Sequence, residues 1–395
     1  MQGLTWFLLP IAALGGWSAA TWMRSRQTVV ASAVLSQDYL RGLDFLLYEE
    51  PDRAIDVFTR LLEQTAVTPG MHRVLADQLL RLGIEFRKRG ETDRAIRLHQ
   101  GLVDRESVGE EQRTEALLEL GQDFQRSGML DRAEQLFLEL ARNRKYEPRV
   151  LPLLLEIYQQ EREWDKAVRI AGKVGYAGPV PANGVIAHYL CEMAEAQCAD
   201  GNLPGARELL QRALVQDREC ARASILLGDM ERDAGNHEAA LVCYRQAAGQ
   251  DIERLPQVLD SMLDCHAVLG TGDRLTGYLQ DIIQHYDGIS PVLVLADLLA
   301  REQGESEAAG FLREQLGRRT SVRGLARLVE TGGFPDTVQD RELVSLVKQL
   351  VDRLQQNRPA YSCHACGFSG KTLHWQCPAC RRWDTVRPVH GIEGD

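Results

Sequence analysis

Catalytic signatures are missing from this 395-residue chain: it has no Gly-x-Ser-x-Gly elbow, no His-Glu-x-x-His zinc helix and no phosphate-binding loop. An enzyme built on any of these devices is excluded, and no catalytic residue is assigned. There is also no block of one charge sign. Lys and Arg number 46 against 56 Asp and Glu, a net charge of −10 spread along the sequence. That balance gives no reason to expect nucleic acid and favours protein partners. A disulfide framework is absent too, because five of the nine cysteines, Cys191, Cys198, Cys220, Cys243 and Cys265, lie singly among apolar helix positions. There a free thiol behaves as a small hydrophobe.

No Lys or Arg precedes the uncharged stretch Gly3 to Met23, so a cleavable secretory signal is disfavoured. About 20 such residues suffice to cross a bilayer as a helix. Trp6 and Trp22 sit near its two ends, and Arg24 and Arg26 follow it directly. The positive flank places the N-terminus outside and the rest of the chain in the cytoplasm. The expected layout begins with a transmembrane anchor over 1–23 and a juxtamembrane linker over 24–36.

What fills the middle is a recurrence at 34 to 41 residues. A charged or small pair precedes Ala54, Ala95, Ala133, Ala167, Ala206 and Ala240, and an amphipathic run follows each. Twelve residues before four of these alanines stand Gly42, Gly83, Gly121 and Gly228. Phe45, Phe86 and Phe124 come three residues after the first three glycines, and Phe58, Phe137 and Tyr244 come four residues after alanines. This pattern resembles the tetratricopeptide repeat, in which small residues let two antiparallel helices approach and large ones fill the space between pairs.

The resemblance implies an all-α helical solenoid over 37–250. The fourth and fifth units depart from the pattern, with Leu155 and Ala194 at the glycine place and Ala171 and Leu210 at the aromatic one. Helical periodicity continues over 251–331, where more hairpins of drifting geometry are expected. The break from Gly175 to Gly184 reads as a long loop or a hinge. Leu343, Leu346, Val347, Leu350, Val351 and Leu354 predict a capping helix within 332–357.

The most specific chemical signal closes the chain, over 358–395. Cys363, Cys366, Cys377 and Cys380 form two Cys-x-x-Cys pairs ten residues apart, a spacing that lets four thiolates converge on one ion. A site with four protein ligands is closed to substrate, so a structural zinc ion is expected, with iron the alternative. His364 and His374 lie near enough to substitute but are not needed. The knuckles also resemble those of rubredoxin, except that Arg381 stands where a glycine is expected after the last cysteine. Trp375, Trp383, Tyr361 and Phe368 supply apolar mass to this small zinc-ribbon or rubredoxin-like unit. Lys371, Arg381, Arg382 and Arg387 make its face basic. The short Gln355 to Ser362 connection predicts that the unit docks on the last repeats.

A single span, a repeat array and a terminal four-cysteine knuckle, in that order over the full length, resemble the lipopolysaccharide assembly protein B family of Gram-negative bacteria. That resemblance implies a single-pass protein of the bacterial inner membrane, N-terminus periplasmic and bulk cytoplasmic. It further implies an adaptor that brings the committed deacetylase of the lipid A pathway to a membrane-anchored AAA+ protease. Self-association stays open, and a membrane-tethered assembly scaffold or an iron electron carrier is the alternative role.

Overall fold

The structure is a computed structural model that describes residues 37–48, 50–64, 69–174, 182–331, 345, 346, 349 and 358–391. The expected anchor, most of the capping helix and most of the 175–184 break lie outside the described residues. The chain divides between Glu161 and Arg162 into two compact units.

The first unit is a run of antiparallel helical hairpins. It comprises α1 (37–47), α2 (Pro51–Glu63), α3 (Pro69–Lys88), α4 (Thr92–Val103), α5 (Glu110–Arg126), α6 (Leu130–Leu140) and α7 (Glu147–Glu161). Each hairpin is set by one close crossing. A Cβ built on Gly121 would lie 2.4 Å from Phe137 Cε1, and one on Gly42 would lie 2.3 Å from Phe58 Cε1. Only hydrogen fits between backbone and ring at such a crossing.

The ring facing Gly83 is His99, 2.3 Å from the same construction, which the sequence pattern passed over because the slot holds a polar residue. His99 is fully buried, with Nδ1 2.5 Å from Asp123 Oδ2 and Nε2 3.2 Å from the Leu80 carbonyl oxygen. Arg87 donates to Asp123 (2.8 Å) and to Glu119 (2.6 Å), so this polar ring is carried by a network joining α3, α4 and α5. A second regularity links the repeat marks. Arg53, Arg94 and Arg132 lie over Phe45, Phe86 and Phe124 at 5.3, 4.1 and 5.1 Å, which covers one face of each aromatic ring with a cation.

The second unit contains α8 (Trp164–Val174), α9 (Ala182–Ala199), α10 (Leu203–Gln216), α11 (Ala221–Asp233) and α12 (His237–Gln250). A one-turn 3₁₀ helix (Ile252–Arg254) leads to α13 (Leu255–Leu269), α14 (Gly272–His285), α15 (Ser290–Gln303), α16 (Glu305–Arg318) and α17 (Val322–Glu330). Gly228 meets Tyr244 as Gly121 meets Phe137, a built Cβ lying 2.5 Å from the ring. In the fourth unit the sizes change places, with Leu155 at the glycine position and Ala171 at the aromatic one, while in the fifth Ala194 and Leu210 keep small against large; all four are buried. Helices α12 to α17 share one apolar core from Ala240 to Leu328.

Of the five single cysteines, Cys191, Cys220 and Cys265 are buried and Cys198 and Cys243 are partly exposed. Cys220 is not inside a helix as expected. It occupies the N-cap position of α11 without a side-chain capping bond, and the contact of its thiol with Cys191, together with burial, pushes Cys191 well up.

Gly121→Ala is expected to lower the first unit's stability by about 1–3 kcal/mol, because the added methyl must displace Phe137. Gly172→Ala, with nothing within 4 Å, is expected to be neutral or stabilising by up to about 1 kcal/mol. Thermal unfolding of both variants checks this, and equal melting shifts would remove close packing as the reason for the glycine.

Candidate metal centre and its seat

After the array the chain forms a three-stranded antiparallel sheet in the order β2 (Ser369–Gly370), β1 (Tyr361–Cys363), β3 (Val386–Pro388). Tyr361 pairs with Gly370 on one side and Pro388 on the other. Two loops of like construction hang from it. In the first, Gly367 N–H donates to the Cys363 carbonyl (2.9 Å) and Cys363 N–H to that of Phe368 (2.7 Å). In the second, Arg381 N–H donates to the Cys377 carbonyl (2.8 Å) and Cys377 N–H to that of Arg382 (2.9 Å).

Both turns need a left-handed residue, and φ is +77° at Gly367 and +56° at Arg381. Arg381 thus adopts the conformation of the glycine it replaces, at a cost of about 1–2 kcal/mol. Nothing in the pattern of residue types announced that.

The loops bring all four predicted cysteines together. The sulfurs of Cys363, Cys366, Cys377 and Cys380 lie within 4.8 Å of one another, and no histidine joins them among the described residues. Cys363 and Cys380 are 3.8 Å apart, and Cys366 and Cys377 are 3.7 Å apart. Four thiolates about 2.3 Å from one tetrahedral ion stand about 3.8 Å from each other, so the donor set and its spacing fit a closed metal site. Burial pushes the Cys377 thiol up to about 12. At Cys363 burial is outweighed by Thr385 Oγ1, 3.3 Å away, and by backbone amides, which bring it down to about 6.

The knuckle docks on α8, α9, α11 and the 3₁₀ helix and not, as the short connection suggested, on the last helices of the array; beyond these its His390 meets Tyr286, which follows α14, at 5.7 Å between ring centroids. Trp383 is buried against His188 (ring centroids 5.2 Å, stacked), Tyr189 (5.7 Å) and Trp164 (5.9 Å). Trp375 lies 5.9 Å from His188 and takes the Arg254 guanidinium at 4.6 Å. The two tryptophans flank the second Cys-x-x-Cys loop and serve as its contact with the array.

Arg254 is the fastening. It is 1% exposed, donates to the Val386 carbonyl (3.1 Å) and Asp251 (3.1 Å), and pairs with Asp384. Arg387 turns inward to Asp251 and Asp384 instead of joining the basic face, and His390 pairs with Glu253. Arg381, Arg382 and Lys371 remain exposed on that face.

A family model described as a rubredoxin metal-binding domain matches residues 361–388, and a tetratricopeptide-repeat model matches residues 191–253. "Lipopolysaccharide assembly protein B" of Escherichia coli K12 is 32% identical over 395 residues, covering all of both chains. The chain belongs to the lipopolysaccharide assembly protein B family. The Haemophilus influenzae member is 31% identical, again over the whole of both chains. Among solved structures, a tetratricopeptide repeat protein from Parabacteroides merdae covers 70% of this chain and 98% of its own, at 13% identity and a TM-score of 0.31. The protein is therefore a tetratricopeptide-type helical scaffold with a terminal four-cysteine metal-binding knuckle.

Sequence reasoning found the ligand set and both tryptophans but missed the seat. His188, Arg222 and Arg254 occupy ordinary helical positions, and only Arg254, in a short polar run ahead of α13, interrupts the periodicity. Arg222, 3% exposed, reaches both tryptophan rings, at 5.6 Å from Trp375 and 6.0 Å from Trp383. It also donates to Glu192 (2.8 Å) and Glu195 (2.9 Å).

Removing the Arg254 side chain leaves Asp384 half-buried without its main partner. Arg254→Ala is expected to weaken knuckle docking by about 3–5 kcal/mol. The readout is tryptophan emission together with protease cleavage after residue 358, and an unaltered cleavage pattern would sink the assignment.

His188 gives the seat a pH dependence. Burial, reinforced by the nearby Arg222, Arg254 and Arg387, lowers its pKa from 6.5 to about 3, so the docked ring is neutral. The unfolded ring gains a proton below 6.5 while the folded ring does not. The stability it contributes is complete above pH 6.5 and is lost as pH falls from there toward about 3, at up to about 1.4 kcal/mol per pH unit. Between pH 6.5 and 5 the parent is expected to lose about 2 kcal/mol more than His188→Phe, followed by urea midpoints. Parallel curves for the two proteins would show that His188 is not the titrating group.

Proposed function

We propose that this protein is an inner-membrane, cytoplasm-facing adaptor that regulates lipopolysaccharide biosynthesis by presenting the lipid A pathway deacetylase to a membrane-anchored AAA+ protease. The observation that carries the reading is the end-to-end match, at 32% identity, to relatives named for lipopolysaccharide assembly. A repeat array offers large side-chain surfaces for protein partners and no reactive centre, which is what an adaptor requires. Membrane attachment rests on the uncharged Gly3 to Met23 sequence and on Arg24 and Arg26 behind it. Among the described residues no helix is long and apolar enough to cross a membrane. The anchor supplies local concentration, holding array and clients on one face of the bilayer.

Cys363, Cys366, Cys377 and Cys380 hold zinc in this proposal, and the ion keeps both knuckle loops folded so that Trp375 and Trp383 stay presented to the array. Zinc suits a closed four-thiolate site with no redox role, whereas bound iron would colour the protein.

The test combines composition with client turnover. The purified parent is expected to be colourless with one zinc per chain. In cells, the deacetylase is expected to accumulate several-fold when Cys363 and Cys366 are both changed to serine or the span is deleted. Exchanging Gly3 to Met23 for an unrelated span should leave its level unchanged. Normal deacetylase turnover in the cysteine variant, with that variant at normal abundance, would refute joint action of knuckle and array.

A further inference from the structure

A groove of about 380 Å³ opens between the ends of α9, α10 and α11, and none of the four cysteine ligands lines it. Its floor is apolar, carrying Leu210, Leu226 and Met230. Leu203, at the first turn of α10, stands at its edge and is 53% exposed. That volume lies within the roughly 300–1,000 Å³ typical of ligand pockets.

The rim is acidic. Glu195 on α9 and Asp229 and Asp233 on α11 line it. These carboxylates are partly engaged. Glu195 and Glu192 share Arg222, Asp229 accepts from Tyr244 (2.8 Å), and Arg232 lies 3.5 Å from Asp229 and 3.1 Å from Asp233. Three rim carboxylates against the guanidiniums of Arg232 and of Arg222, the latter shared with Glu192, leave the rim negative. The C-terminal ends of α9 (Ala182–Ala199) and α11 (Ala221–Asp233) both open here and add their partial negative charge. The opposing N-terminus of α10 is capped by Asn202, whose Oδ1 accepts from Gly205 N–H (3.2 Å).

We infer that this groove binds a client protein segment carrying bulky apolar side chains next to lysine or arginine. The apolar floor removes the partner's leucine- or methionine-sized groups from water, and the acidic rim selects the neighbouring cation and repels acidic segments. The inference rests on the adaptor reading and specifies the chemistry of the sequence such an adaptor recognises. Glu195 also joins the groove to the knuckle seat, since Arg222 holds Glu195 and lies over Trp375 and Trp383.

The probe is a fluorescein-labelled peptide of alternating leucine and arginine, titrated against the full chain in phosphatidylcholine nanodiscs, with a leucine–glutamate peptide as control. Saturable binding of the basic peptide alone is expected, weakening as salt is raised. Leu203→Asp and Asp233→Lys, both at exposed side chains, should each weaken it by about tenfold or more. Helical circular dichroism and melting temperature establish that the variants are folded. Equal affinity of parent and variants, or equal binding of the acidic peptide, overturns the assignment. Deacetylase turnover in cells separates this from the adaptor reading: turnover lost in the cysteine variant while the groove variants bind peptide like the parent removes the groove alone. Turnover unaffected by every variant removes the adaptor reading, and the peptide titration still judges the groove.

Discussion

Helix hairpins in this protein depend on one distance, that between the backbone of the first helix and a ring on the second. Where Gly42, Gly121 and Gly228 meet Phe58, Phe137 and Tyr244, the ring occupies the space a methyl group would fill. Axes held that close put the next hairpin within reach, so the crossing sets the spacing of each stack. The chain keeps the sum of sizes rather than the residue types. Leu155 and Ala171 reverse the usual assignment, and His99 fills the slot with a polar ring by enlisting Asp123 and the Leu80 carbonyl.

The second constraint is electrostatic. Arg254 is a buried cation held at once by Asp251, Asp384, a strand carbonyl and the face of Trp375. Burial lowers the Arg254 pKa and raises that of Asp384, which shows how strongly both charges are desolvated. Such a pair adds little net stability over an apolar replacement, yet it tolerates only one geometry. Its contribution is to orient the knuckle while the tryptophans supply the apolar area.

The parts that were legible in the sequence are those whose geometry is local. Cys363, Cys366, Cys377 and Cys380 could be read as one set because a tetrahedral ion fixes both the spacing within each pair and the need for two pairs. The glycine, alanine and aromatic marks could be read because each hairpin repeats the same crossing. The seat could not. His188, Arg222 and Arg254 come from three different helical segments, and what unites them is a partner surface more than a hundred residues further on. The expectation that the knuckle rests on the last repeats took nearness in sequence for nearness in space. Arg381 was noticed only as a departure from glycine, because a left-handed backbone leaves no mark in residue type when the chain accepts the strain.

The fastening by Arg254 joins residues 130 and 132 positions apart, and its partners Asp384 and Val386 are made after the whole seat. During synthesis the helices that form the seat can therefore fold well before their cover exists. Until residues 375–386 are made, Trp164, Tyr189 and the Arg254 guanidinium lack their cover, and a chain broken off anywhere upstream of Trp375 never gains it. Synthesis of the knuckle and acquisition of the metal are registered at the same surface. A finished, metal-loaded molecule is thereby distinguishable from a truncated or metal-free one by whether that apolar, cationic surface is still open to other proteins.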